Sequence, residues 1–185
     1  IEELAPRLFS FNSPHGACPA CAGLGTVNEF DEELVVPDRT RSLKEGAIEP
    51  WRKNGRRMNI YYGRLIRKFV EACDVDPKAA ISTMPKKVYR HLLHGVGDED
   101  ATTLGFAFEG VLPNLRRRYE TSDSQFVRER MHGYMTASKC HDCGGGRLQP
   151  AARGVKMDGA RETLDITEVT GLTIERALEF FEDLK

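Results

Sequence analysis

Two cysteine pairs, Cys18-Pro19-Ala20-Cys21 and Cys140-His141-Asp142-Cys143, combine residue type and spacing in a way that could do chemistry. Two residues between cysteines let both sulfurs turn toward one ion, so each pair offers half of a tetrahedral thiolate shell. Together they would close a four-cysteine site with no open position for catalysis, which is the chemistry of a structural zinc. Gly23 and Gly25 follow the first pair and Gly144, Gly145 and Gly146 the second. A knuckle needs positive φ angles and amides aimed at sulfur, and glycine supplies both without steric cost. Disulfides are a poorer reading, because nothing resembles a signal peptide and a fifth cysteine, Cys73, is left over. Redox catalysis by a C-x-x-C at a helix start fits the glycine-rich continuations poorly.

Other reactive patterns are missing. The chain has no Gly-x-x-x-x-Gly-Lys-Ser/Thr phosphate loop, no Gly-x-Ser-x-Gly elbow and no His-Glu-x-x-His helix. The five histidines form no ligand pattern among themselves; His15 and His141 flank the cysteine pairs and read as second-line or surface residues. Catalytic residues are therefore not expected in this chain, nor is ATP bound within it. Its apolar runs are too short for a membrane span, and a cytoplasmic setting, with thiols kept reduced, is expected.

The formal net charge of −1 conceals a segregation. Between Glu49 and Glu71 lie seven basic residues and no acidic one: Arg52, Lys53, Arg56, Arg57, Arg64, Arg67 and Lys68. Such a run is either a solvated surface or a cationic face for phosphates. The expected DNA face is built from Arg52, Lys53, Arg56 and Arg57 and extended by Arg64, Lys68, Arg116, Arg117 and Arg128. Arg116, Arg117 and Arg118 cannot all point one way on a helix, so at most two would serve that face and the third would pair with an acid. Trp51, set among these cations, has two open readings: a ring that stacks on a base or wedges into a groove, or an anchor for its loop on the core.

The elements that must position these groups follow from periodicity and breakers. Residues 1–17 read as extended, with Leu8, Phe9 and Phe11 packing on the metal knuckle; 26–30 reads as a short strand and 37–57 as an irregular polar loop. Helices are expected at about 58–73, 86–93, 110–119, from a capping box at Ser122 and Gln125 to about 135, and at 174–184 behind Thr173. In the last, Ala177, Leu178 and Phe181 are expected to face inward. Alternating Leu104, Phe106 and Phe108 predict one or two strands in 96–110, and 154–158 with 163–166 predict a hairpin around Asp158-Gly159. The fold class is α+β: a small mixed domain of several helices and a short sheet, inserted into a four-cysteine zinc module. The division expected is 1–21 lead-in and first knuckle, 22–139 insertion, 140–150 second knuckle, and 151–185 the start of a further domain. The chain opens at Ile1 rather than Met, which reads as a piece of a longer protein.

Four stretches carry a resemblance: PRLFSFNSPHGACPACAGLG at 6–25, FEGVLPNLRRRY at 108–119, CHDCGGGRL at 140–148 and TIERALEFFEDL at 173–184. They resemble the UvrA family, the DNA-damage-sensing ATPase subunit of the bacterial excinuclease. The resemblance implies that 22–139 is mostly the mobile insertion domain near bound DNA, that the knuckles form its zinc module, and that residues from about 150 lead into the first signature domain. It also implies a parent protein that binds ATP outside this stretch, acts as a homodimer on damaged double-stranded DNA and engages the excinuclease B subunit. The family carries a further C-x-x-C upstream, absent here, with which Cys18 and Cys21 could pair instead of Cys140 and Cys143. Cys18-Pro19-Ala20-Cys21-Ala22-Gly23-Leu24-Gly25 also fits the repeat of the DnaJ-type chaperone zinc region, a client-binding module, though that has four repeats closely spaced. A structural zinc scaffold without a nucleic-acid role is the remaining reading.

Overall fold

A computed structural model describes residues 4–52, 54–159, 161–182 and 184, apart from the side chain of Thr103. A 3-10 turn, Pro6–Phe9, leads to β1 (Thr26–Phe30), followed by α1 (Glu32–Val35), α2 (Glu49–Arg52), α3 (Arg56–Cys73), α4 (Lys86–His94), α5 (Asp98–Leu104), α6 (Val111–Thr121) and α7 (Gln125–His132). Then come β2 (Met135–Lys139), α8 (Pro150–Arg153), β3 (Lys156–Asp158), β4 (Thr163–Asp165), α9 (Ile166–Thr170) and α10 (Ile174–Glu182). The chain forms two compact units, one of residues 1–28 with 137–185 and one of residues 29–136. The boundary falls within β1 and β2, which pair with each other as a two-stranded sheet.

The 29–136 unit is helical and has one apolar core. Val35, Ile48, Trp51, Tyr62, Phe69, Leu92, Leu93, Val111, Leu115 and Met131 are all buried in it. The stripe of α3 explains why: Tyr62, Leu65, Phe69 and Cys73 recur at helical spacing and turn one face inward. Cys73, the cysteine left over from the two pairs, packs against this core, and burial pushes its thiol up. α4 and α6 are joined by a close backbone approach, with Gly95 at φ 95° and Gly110 at φ 92°. A Cβ on Gly110 would stand 2.3 Å from the Gly95 nitrogen, and this approach lets the Val96 amide donate to the Phe108 carbonyl at 2.8 Å.

Several expectations are corrected here. The stretch 96–110 contains α5 and, among the described residues, no strand. Asp98, Glu99 and Asp100 occupy the first turn of α5, where the helix dipole favours acids, and they outweigh a short alternation of aromatics. The fourth predicted helix stops at His132 and starts from Ser124 rather than Ser122; Met135–Lys139 is instead β2. The 37–57 loop is a packed segment: Leu43, Ala47, Ile48 and Trp51 are buried, and amides of Lys44, Ile81 and Ser82 bond across to Pro77, Arg41 and Arg39.

In the other unit, β3 and β4 pair antiparallel with Met157 opposite Leu164, as the hairpin reading expected. α10 buries Phe180, not the expected face: Leu178 and Phe181 are 59% and 52% exposed. The reason is local, since a Cβ on Gly159 would lie 2.9 Å from Cε2 of Phe180, so the bare hairpin turn receives that ring. Leu8 packs on Leu148 and Ala152 rather than on the cysteines, and Phe11 stays half-exposed beneath the Arg147 guanidinium, 3.5 Å from its ring centroid. No helix among the described residues is long and apolar enough to cross a membrane.

Candidate metal centre and nucleic-acid surface

The first knuckle turns through Ala22 and Gly23 at φ 49° and 79° and reaches Gly25 at φ 80°, where the amide donates to Cys21 Sγ at 3.2 Å. Only glycine fits at 23, because a Cβ there would lie 2.0 Å from the Phe11 carbonyl oxygen. The second knuckle, Cys140 to Gly146, joins the first through backbone bonds from Cys140 N to Gly25 O and from Cys18 N to Arg147 O, both 2.9 Å. Arg147 also donates from Nε to the Gly23 carbonyl at 2.8 Å, tying the two turns by its side chain and its backbone at once. This role of Arg147 was not read from the sequence. Its only signal there is its place after the run of three glycines.

The four sulfurs meet. Cys18 and Cys140 Sγ are 3.9 Å apart, Cys21 and Cys143 Sγ 3.7 Å, and all four lie within 4.8 Å of one another. These are not disulfide distances, which are about 2.05 Å. They match a tetrahedron of sulfurs each about 2.3 Å from a central ion, whose edges are about 3.8 Å. All four side chains are buried. At Cys21 burial opposes the charged form, but the Gly25 amide and the neighbouring thiols outweigh it and lower the thiol to about 7, whereas at Cys143 burial prevails and raises it to about 11. Four thiolates this close need a cation at their centre, so the donor set fits a thiophilic ion such as zinc. Neither His15 nor His141 belongs to the cluster.

The expected DNA residues separate into two groups. Trp51 is 4% exposed and lies flat on Tyr62, with ring centroids 4.5 Å apart and planes 9° apart, so neither face is open to a stacking base. This corrects its reading as an exposed stacker. Arg52 pairs with Glu49 at 2.8 Å. Arg117 grips Glu109 through Nη2 at 2.8 Å and Nε at 3.1 Å; the pair lowers the Glu109 carboxyl and raises Arg117. Arg116 lies 3.7 Å from Glu29, and Arg118 donates to the Tyr62 hydroxyl. Lys53 lies outside the described residues.

Arg56, Arg57, Arg64, Lys68 and Arg128 are exposed and have no acidic partner among the described residues. Arg57, Arg64 and Lys68 recur along α3 with Tyr61 between them, at spacings that put all four on one exposed stripe. Tyr61, 38% exposed, is the aromatic that stands among the free cations, and the four- and three-residue steps around it are a signal that sequence reading could have used. Arg56 and Arg57 occupy the first turn of α3, which contains no acid and whose Gly55 cap makes no side-chain bond. Cations at the positive end of a helix dipole cost stability, and an incoming anion would relieve it.

The 29–136 unit is helical, with cations free of acidic partners among the described residues along α3, and the other unit holds four buried cysteines whose sulfurs are placed to share one metal ion. Residues 31–133, more than half of the chain, match the family described as the UvrA DNA-binding domain, and the chain belongs to that family. It is 41% identical over 195 residues to the UvrABC system protein A of Neisseria meningitidis serogroup B and 40% to that of Thermus thermophilus, covering all of this chain and 20% of each relative. The chain thus spans about a fifth of the length of the curated relatives it matches. The crystal structure of UvrA2 from Deinococcus radiodurans shares the fold over 97% of this chain and 23% of that one, with a TM-score of 0.65 at 24% identity.

Proposed function

We propose that this chain is the DNA-contacting insertion of a UvrA-type damage-recognition protein, clamped at its base by one structural zinc on Cys18, Cys21, Cys140 and Cys143. The observation that carries the DNA role is the exposed stripe of Arg57, Arg64 and Lys68 on α3, with Arg56 beside it and no carboxylate to neutralise it among the described residues. Backbone phosphates are its natural counter-charge, and contacts of that kind carry no base preference, which suits recognition of damage in any sequence. The reading narrows the expected face to Arg56, Arg57, Arg64, Lys68 and Arg128. It places residues 29–136 against damaged double-stranded DNA and residues from about 150 at the start of a signature domain. ATP turnover, dimerisation and engagement of the excinuclease B subunit fall to parts of a longer cytoplasmic protein, and this chain alone hydrolyses no ATP. The test is binding of the chain to duplex DNA across a salt series, with the Arg56→Ala, Arg57→Ala double variant beside it. Salt-dependent binding that weakens equally on unrelated sequences in the variant supports the reading. Unchanged binding by the variant, or none by the parent, leaves a zinc scaffold without a nucleic-acid role.

A further inference from the structure

The solvent face of α3 carries two residues that the packing of the protein does not explain. At about 100° per residue, Ile60 falls between two rows of exposed cations, Arg56 with Arg67 on one side and Arg57, Arg64 and Lys68 on the other. Ile60 is 49% exposed and stands outside the apolar core of the 29–136 unit, so the long stems around it leave half of it open. Its neighbour Tyr61 differs: that ring leans on Tyr62 with centroids 5.3 Å apart and stays with the helix. Glu71, one turn beyond Arg67, closes the face.

The second residue is Gly63, exposed on the same side three residues after Ile60, in the middle of an 18-residue helix where glycine is a poor former. A Cβ built on it would meet nothing within 4 Å, so no described neighbour demands the bare position. Both residues disfavour the isolated helix, one by apolar surface left in water and the other by backbone freedom.

One guest accounts for both. Isoleucine is shorter than arginine, so a polyanion held by the five cations touches Ile60 only if it comes down close to the helix. The missing side chain at position 63 leaves room for a strand to do so. A second copy of this face would bring the same cations and be repelled, which favours a guest with apolar surface behind its negative charges, as in the phosphates and stacked bases of DNA. Resting on the DNA reading above, we propose that Ile60 is a wedge: with the two cation rows on phosphates of opposite strands, its side chain enters the minor groove and presses between two base pairs. The helix is wider than that groove, so only the ridge at Ile60 goes in. An intact step resists being opened, whereas a mismatched or damaged one gives way at lower cost. Ile60 is thereby the residue that makes a sequence-blind cationic face prefer distorted duplex.

The test uses two duplexes of one sequence, one fully paired and one with a single mismatched step, each with 2-aminopurine beside that step. The chain should bind the mismatched duplex about tenfold tighter, with 2-aminopurine emission rising as its base is unstacked. Ile60→Ala should cut the preference to within about twofold and silence the emission change, with paired-duplex affinity kept because the wedge does not enter an intact stack. Ile60→Leu, which keeps an apolar wedge, should retain both signals. Ile60→Ala should also melt no lower than the parent, since the site is exposed and alanine is the better helix former, which separates the effect from a structural one. Equal affinity of the parent for the two duplexes, or a preference that survives in Ile60→Ala, overturns the wedge and leaves the DNA reading standing. Absence of salt-dependent binding to either duplex overturns the DNA reading and the wedge with it. Self-association of the parent in sedimentation, abolished by Ile60→Ala, assigns the face to a second copy and likewise overturns the wedge.

Discussion

Cys18 Sγ lies 3.9 Å from Cys140 Sγ although 122 residues separate them. That distance matches the edge of a tetrahedron of sulfurs around one zinc ion, the site proposed above. One zinc per chain is expected by elemental analysis, and Cys143→Ser should remove it. Because the apolar core of residues 29–136 contains none of the four cysteines, chelation should expose the knuckles to protease while the near-ultraviolet signal of Trp51 persists. Arg147→Ala, which cuts the bond to the Gly23 carbonyl, should weaken zinc retention about 10- to 100-fold in a chelator competition. Loss of the Trp51 signal together with the metal would show that the inserted unit depends on the metal site for its fold.

The stripe on α3 and Arg117 of α6 should behave differently in DNA binding. Each phosphate contact removed from duplex DNA flattens the log–log salt slope by about 0.9. Arg64→Ala and Lys68→Ala should each do so with little effect on stability, since both side chains are exposed. Arg117→Ala should leave the slope unchanged, because that guanidinium is already committed to Glu109. A slope change in Arg117→Ala equal to that of Arg64→Ala would mean that DNA displaces Glu109.

Asp165 should give the 1–28 and 137–185 unit an acid limb. Burial alone would raise its carboxyl, but the Thr167 hydroxyl, the Glu168 and Thr167 amides and the Lys156 ammonium outweigh it and lower it from 3.8 to about 2. A carboxyl depressed on folding stabilises the folded state fully above its unfolded value. The contribution should therefore be complete above about pH 4 and lost as pH falls toward 2. Asp165→Ala removes the capping box of α9 and should cost about 1–2 kcal/mol at neutral pH, with a shallower loss of melting temperature below about pH 4 than in the parent.

Trp51→Ala should destabilise the inserted unit by about 3–5 kcal/mol, the usual cost of emptying a large buried aromatic site. Thermal unfolding followed by circular dichroism measures it. An exposed base-stacking tryptophan would leave the melting temperature unchanged, so this variant distinguishes the packed ring from the alternative directly.

The sequence by itself determined what local spacing controls. Two-residue gaps brought each cysteine pair into one turn, glycines at 23 and 25 allowed the backbone to wrap sulfur, and the apolar spacing from Met58 to Cys73 set the helix and most of its buried face, although Tyr61 at the same spacing lies exposed. β1 and the hairpin were legible in the same way, from alternation and turn residues. Tertiary structure alone decided which groups those elements meet. Trp51 sits in a basic run, yet Tyr62 eleven residues on takes its ring into the core; Arg117 belongs to a basic triplet, yet Glu109 from the segment before α6 claims it. On α10, helical spacing pointed to Ala177, Leu178 and Phe181 as the inner face, yet the bare turn at Gly159 took Phe180 instead. The physical reason is common to all three. Backbone periodicity needs only neighbours within a turn or two, whereas burial and charge pairing of a side chain depend on surfaces supplied by other parts of the chain, and those become neighbours only on folding.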